Sequence, residues 1–232
     1  MRLRSTAVLA LAAVGAFSLT GCSHSTSTTA ESASAPAAVA QPKSEPKPAT
    51  APLSSAALRD RLLNESDLGQ GYARKPDAGE KRHDDVTLVG CPALDKLGGD
   101  AATGGSLDFA NEAKATFTYN GDTDSEVSEE LYSDTTDKLS KGTGQIFNAM
   151  TSCPTFQIVT GSTPVDVATQ KISAPHLGDE QWSHLLTYTA GGQRSVVKQT
   201  VIRSGNTMTI LTGAPALVDA HVEKALRKAT SR

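Results

Sequence analysis

Between positions 113 and 119 apolar and polar residues alternate: Ala113, Ala115, Phe117 and Tyr119 against Lys114, Thr116 and Thr118. Period two marks a strand with one buried face. Asn120-Gly121 follows, a strong hairpin signal, and Val127, Glu129 and Leu131 take alternate positions on the predicted return strand. The period then lengthens. Leu139, Ile146, Phe147 and Met150 predict a helix over about 135–152, with Asp134 as cap and Asp137 at its electropositive end. Gly142 and Gly144 weaken that helix by about 1 kcal/mol each relative to Ala. Beyond it, 156–159, 165–172, 181–189, 195–203 and 207–211 read as a strand meander, with Gly191-Gly192 and Gly205-Asn206 suited to tight hairpins. Val218, Val222, Ala225, Leu226 and Ala229 form the apolar stripe of a closing helix over 215–229.

Upstream the pattern is sparser. Ser54 or Ser55 can cap a short helix carrying Leu58, Leu62 and Leu63. Residues 64–72 are turn-rich, and Val86 and Leu88 suggest a short strand running into Cys91. Pro92 suits the first turn of a short helix through Leu97, and 98–106 are Gly-rich, as in an exposed loop. Strands in runs, with few helices and no strand–helix alternation, predict an α+β fold: an antiparallel sheet with helices packed mainly on one face. Residues 53–232 make one domain of that kind.

The first fifty residues follow another logic. Arg2 and Arg4 precede an apolar run over 7–19, too short to span a bilayer and matching a secretory signal peptide. Leu19-Thr20-Gly21-Cys22 at its end resembles a bacterial lipobox, which implies cleavage before Cys22 and acylation of its thiol. Residues 1–21 are thus expected to be a lipoprotein signal peptide. Residues 22–52, rich in Ser, Thr, Ala and Pro, cannot bury enough apolar surface to offset ordering, so an acylated Cys plus a disordered tether is expected. The predicted address is the outer face of the cell membrane, lipid-anchored through Cys22.

Composition narrows the chemistry. Losing Arg2 and Arg4 takes the formal charge from −3 to −5, which gives no electrostatic footprint for nucleic acid. Aromatic residues are only 4%, so the core must be mostly aliphatic. With Cys22 acylated, Cys91 and Cys153 remain; outside the cytoplasm an isolated pair reads as a disulfide. A redox-active pair would more often show Cys-x-x-Cys spacing. Asp122, Asp124 and Glu126 resemble the start of a calcium loop but lack its Gly and bidentate Glu. His83-Asp84-Asp85 and His221 have no convincing nucleophile partner, and no Gly-x-Ser-x-Gly elbow exists. No catalytic residue, metal site or cofactor is expected.

Taken in order, a set of short pieces resembles the extracellular sensor domain of the PknH-type serine/threonine kinases and its stand-alone lipoprotein relatives. They are Leu62-Leu63, Asp67-Leu68-Gly69-x-Gly71-Tyr72, Cys91-Pro92, Phe117-x-Tyr119 and Val127-x-Glu129. Cys153-Pro154-x-Phe156, Leu177-Gly178-Asp179-Glu180 and Ile202-Arg203-x-Gly205-Asn206 complete the set. The resemblance spans roughly residues 54–230. It implies an antiparallel sheet flanked by helices, a groove as ligand site, and a sensing or binding role at the cell surface. The kinase sensor domain carries two disulfides; here one pair is available.

Among His176, Asp179, Glu180 and His184, the only dense run of possible metal ligands, Gly178-Asp179-Glu180 reads better as a turn into the next strand. Trp182 and His184 then share one sheet face and become the candidate groove wall for an unidentified small-molecule or protein ligand. The expected function is a non-enzymatic, sensor-like binding domain. The alternative is a structural or protein-interaction module of the envelope. An envelope hydrolase or metal-binding protein would need His176, Asp179 or His184 to converge with a further ligand.

Overall fold

The alternating segments pair into one antiparallel sheet. The structure, a computed structural model, describes residues 51–76, 86–97, 108–121, 124–160 and 162–231, all within one compact unit, Pro46–Arg232. Its strands are β1 (Tyr72–Arg74), β2 (Val86–Val89), β3 (Asn111–Asn120), β4 (Asp124–Ser133) and β5 (Thr155–Thr160). They continue with β6 (Thr163–Ile172), β7 (Glu180–Ala190), β8 (Gln193–Ser204) and β9 (Thr207–Gly213). Their order is β1-β3-β4-β9-β8-β7-β6-β5-β2, and all neighbours run antiparallel. The meander from β5 to β9 was legible, because its turns are local. Ala190 pairs with Gln193, leaving Gly191 and Gly192 at φ 56° and 80°, the two positive values that a type I′ turn requires. The β3–β4 loop is longer than Asn120-Gly121 alone suggests, since Asn120 pairs with Asp124.

Successive side chains on a strand point to opposite faces, so adjacent buried residues separate two cores. Leu131, Ile202 and Leu211 pack with Leu58, Leu68, Val218 and Val222 beneath α1 (Ser55–Arg59), α2 (Glu65–Leu68) and α5 (Pro215–Ala229). Their chain neighbours Tyr132, Val201 and Ile210 pack on the other face with Leu139 of α4 (Thr136–Ser152). That second face continues through Phe156, Ile158, Val167 and Leu186, covered by Ala149 and Met150 of α4 and Leu94 of α3 (Pro92–Asp95). The helices thus occupy both faces, which corrects the expectation that they pack mainly on one. The cause is topological. α4 leaves β4 in the middle of the sheet and returns to β5 near its far edge, crossing the face that α1 and α5 leave free.

Local chemistry sets the ends of these elements. Ser54 caps α1 by accepting the Ala57 N–H, and Pro215 opens α5 at a position where its missing N–H costs nothing. Asn64 and Asp67 form a reciprocal capping box, so a short helix, α2, stands where the composition suggested only turns. Thr135, not Asp134, caps α4 by accepting the Lys138 N–H. Asp134 instead accepts the Ala110 N–H at 2.9 Å and pairs with Lys138 at 3.0 Å. Gly142 is explained by Phe109: a Cβ there would lie 3.0 Å from the ring. The Cys91–Cys153 disulfide, with Cα atoms 5.6 Å apart, fastens the segment between β2 and α3 to the C-terminus of α4.

Candidate functional site

The pieces that carried the resemblance meet as joints of the fold. A Cβ on Gly178, where φ is 68°, would stand 2.5 Å from the Arg203 carbonyl oxygen, so only glycine lets the two segments touch. The Asp179 N–H donates to that same carbonyl at 2.8 Å. Asp179 Oδ2 accepts the Gly205 N–H at 2.7 Å and Arg203 Nη1 at 3.1 Å. Arg203 Nη2 donates to Glu180 Oε1 at 2.8 Å, and the Ser140 hydroxyl of α4 donates to the same oxygen at 3.0 Å. The bond from Arg203 is the main reason the Glu180 carboxyl titrates below its usual range. Leu177-Gly178-Asp179-Glu180 and Ile202-Arg203-x-Gly205-Asn206 are therefore two halves of one clamp at the β8–β9 turn. Asp67 makes a second joint: its carboxylate takes Lys228 of α5 and its carbonyl takes Lys224. Burial would raise the Asp67 carboxyl, but the bonds from Lys228 and Asn64 and the charges of Lys228 and Lys224 hold it below the usual value.

Trp182 and His184 do share one sheet face, as their spacing suggested, but it is the face beneath α4. Phe147 of α4 stacks near both, with ring centroids 6.5 Å from Trp182 and 5.4 Å from His184. His184 is 2% exposed, and among the described residues neither ring nitrogen has a hydrogen-bond partner. Burial alone lowers its pKa to about 4. His184 is a neutral core residue here, buried beneath α4. His176 is exposed, while Asp179 and Glu180 are engaged by Arg203, so the four do not converge. Among the described residues no three His, Cys, Asp or Glu side chains are placed to hold a metal ion. His221 pairs with the Tyr72 hydroxyl at 2.7 Å. Cys22, the expected tether up to residue 50, His83-Asp84-Asp85 and Asp122 lie outside the described residues.

The open surface is on the opposite side of the same strands. α1 and α5 lie over β3, β4, β9 and β8, and among the described residues no helix covers this face of β2, β5, β6 and β7. Register places Val89, Gln157, Asp166, Thr189 and Arg194 in one row across it. Thr155, Ala168, Thr187 and Val196 form the next row. Residues of both rows line a depression of about 480 Å³. Among the described residues, the exposed large apolar side chains are Val89 (47%) and Val196 (39%), and both stand on this face. Lys198 marks its border: nearly buried at the rim of α5, its Nζ lies 2.5 Å from Asp219 Oδ1. The sequence held one signal of this surface. Val196 and Val197 are consecutive in a strand, so only one of them can face a given core, and Val197 is the one that packs under α4. A second depression of about 500 Å³ lies along α4 beside Phe109. Its rim residues Leu97 and Asp108 flank positions outside the described ones, and we assign no site there.

No helix among the described residues is long and apolar enough to cross a membrane. No protein-family model matches the chain, and no curated protein sequence matches it. A solved structure does: the extracellular domain of PknH from Mycobacterium tuberculosis superposes with a TM-score of 0.57 at 12% sequence identity, covering 78% of this chain and 98% of that one. At that identity the likeness is one of fold: the chain has a PknH-like extracellular-domain fold.

Proposed function

We propose that this protein is a lipid-anchored, extracytoplasmic, non-enzymatic binding module, sensor-like in role, that receives a small-molecule or protein ligand on the open face of β2 and β5–β8. One observation carries the choice of face: among the described residues both exposed large apolar side chains, Val89 and Val196, stand on this same face, whereas single exposed apolar residues are ordinarily scattered. The likeness in fold to an extracellular domain supports the extracytoplasmic address. The Leu19-Thr20-Gly21-Cys22 pattern supports the anchor, two acyl chains holding far more firmly than one.

The test is site-specific photo-crosslinking in the native envelope. A photoreactive residue at Gln157 or Thr187 should capture an adduct whose mass distinguishes a small molecule from a protein. The same residue at Lys114, on the other side of the sheet, should capture none. Equal capture at all three positions, or capture at none, would sink the assignment of the face. Metabolic labelling with a clickable fatty acid tests the anchor separately: Cys22→Ala should abolish the label, and retained label would refute lipidation at that residue.

A further inference from the structure

Glu129 occupies an inward position of β4, between Val127 and Leu131, where an apolar residue would complete the column. It is 1% exposed. Its lateral neighbours in the sheet are Ala115 on β3 and Leu211 on β9, neither of which carries charge. Oε2 accepts the Leu63 N–H at 2.6 Å, in the connection between α1 and α2. Among the described residues Oε1 has no partner though buried, and the same holds for the hydroxyl of Thr209, diagonal to Glu129 on the same face. The charged groups whose fields reach it are Lys228 of α5 and Asp67 of α2, which are bonded to each other. Arg61, in the same α1–α2 connection, turns its guanidinium to the Ala229 carbonyl instead. Among the described residues a carboxylate in this place has one hydrogen bond and no counterion of its own.

We propose that the Glu129–Leu63 contact is a proton-operated latch. Protonated Glu129 lets the α1–α2 segment seat fully on the sheet, and its ionisation loosens that segment. An ionised carboxylate must recover hydration, since an unpaired buried charge is costly. The cheapest route is to lift the short helical segment above it. α1 and α2 have five and four residues, whereas the alternative is to part β4 from both neighbours. Desolvation dominates the environment and raises the Glu129 pKa to about 7, against 4.5 for the free side chain. The sign follows: with the folded value raised, the seated form holds its full advantage below pH 4.5 and loses it as pH rises through about 7. Between pH 5 and 8 the open fraction of the segment should rise by something on the order of 50-fold. The latch does not depend on the open face binding anything.

Hydrogen exchange on the full-length protein reads this directly. After correction for intrinsic rates, amides over residues 55–70, that of Leu63 included, should lose protection by that factor between pH 5 and 8. Amides of β7 and β8 that exchange through openings which leave the α1–α2 segment seated should not. Glu129→Gln keeps the acceptor oxygen but cannot ionise, so its α1–α2 protection should be flat with pH. The same pH dependence in Glu129→Gln as in wild type would overturn the latch. Should the variant fail to fold, carbon-13 titration of the wild-type Glu129 carboxyl decides. A midpoint near 7 supports the latch, and one below 5.5 refutes it.

Discussion

Among the described residues two stretches of this sheet lack a helix above them, and they are built differently. On the face that carries α4, the part of β3 and β4 away from that helix, with the residue that follows β1, is laced by ion pairs. Lys114 meets Glu130 and Lys75 meets Glu126, each at 2.5 Å, and Tyr132 donates its hydroxyl to Glu130 at 2.8 Å. On the face that carries α5, the bare part of β2, β5, β6 and β7 has Thr, Gln, Ala and Val at its centre, and Gln157 donates to Asp166. Bare sheet with its charges paired among themselves has little to offer a ligand beyond water. Bare sheet with exposed valines offers apolar surface that water does not satisfy. Exposure alone therefore does not mark a site; what the side chains already satisfy does.

The largest effect should come from unfastening the floor of the second surface. β2 is an edge strand held by β5 on one side and, through the Cys91–Cys153 bond, by α4. A cross-link closing a separation of 62 residues contributes about 4 kcal/mol in the chain-entropy account. Cys91→Ser or Cys153→Ser should therefore lower the melting temperature strongly, and reductant should reproduce the loss in wild type alone. Exchange at 86–89 should rise while β3 and β4 stay protected. Uniform loss across both regions would mean that the bond supports the whole domain rather than this surface.

Next in size is an acid effect beneath the same strands. His184 lies under α4, across the sheet from the open face, with a folded pKa of about 4 against 6.5 free. A depressed histidine costs nothing above pH 6.5, begins to destabilise below it as the unfolded chain takes the proton, and reaches its full cost below pH 4. About 3 kcal/mol should be lost at pH 4 through this residue. His184→Phe should flatten the acid limb of stability measured by urea unfolding; an unchanged limb would place the loss elsewhere. Glu129, on the other face, works in the opposite direction, losing stability as pH rises toward 7.

Both groups show how far the sequence could be read. Period two put Glu129 in line with Val127 and Leu131, and His184 in line with Trp182 and Leu186. Each is therefore legible as a polar residue at an inward position. What alternation could not say was which face is inward, because that depends on where α4 crosses and on β9 closing against β4. Both are long-range events with no local mark. The α5 stripe, by contrast, became the buried set Val218, Val222, Ala225 and Ala229, since a helix needs only one partner surface. The spacing of Trp182 and His184 gives them a shared face but does not tell which face α4 covers. The clamp between Asp179 and Arg203 was visible as two motifs and not as one joint, since 24 residues separate them in the chain.

A smaller effect separates the two bare surfaces themselves. Val89→Lys and Val196→Lys change side chains already in water, so each should alter stability by less than about 0.5 kcal/mol. Together they should reduce crosslinked adduct at Gln157 by at least about tenfold, the 1.4 kcal/mol equivalent of two lost apolar contacts. Retained capture with unchanged stability would show the valines to be incidental.

The smallest effect is the control that gives the comparison its meaning. Lys114→Ala removes one partner of an ion pair whose lysine is 59% exposed, and pairs of that kind are worth about 0.2–1 kcal/mol, less in salt. Glu130 is the more buried partner, 14% exposed, and keeps the Tyr132 hydroxyl bond, so it is not stranded. The expected outcome is a stability loss under about 0.5 kcal/mol in low salt that fades at high ionic strength, with capture at Gln157 unaltered. A loss of capture would mean that the two surfaces are coupled through β4, β9 and β8, and the contrast between a self-satisfied face and an open one would no longer identify the binding side.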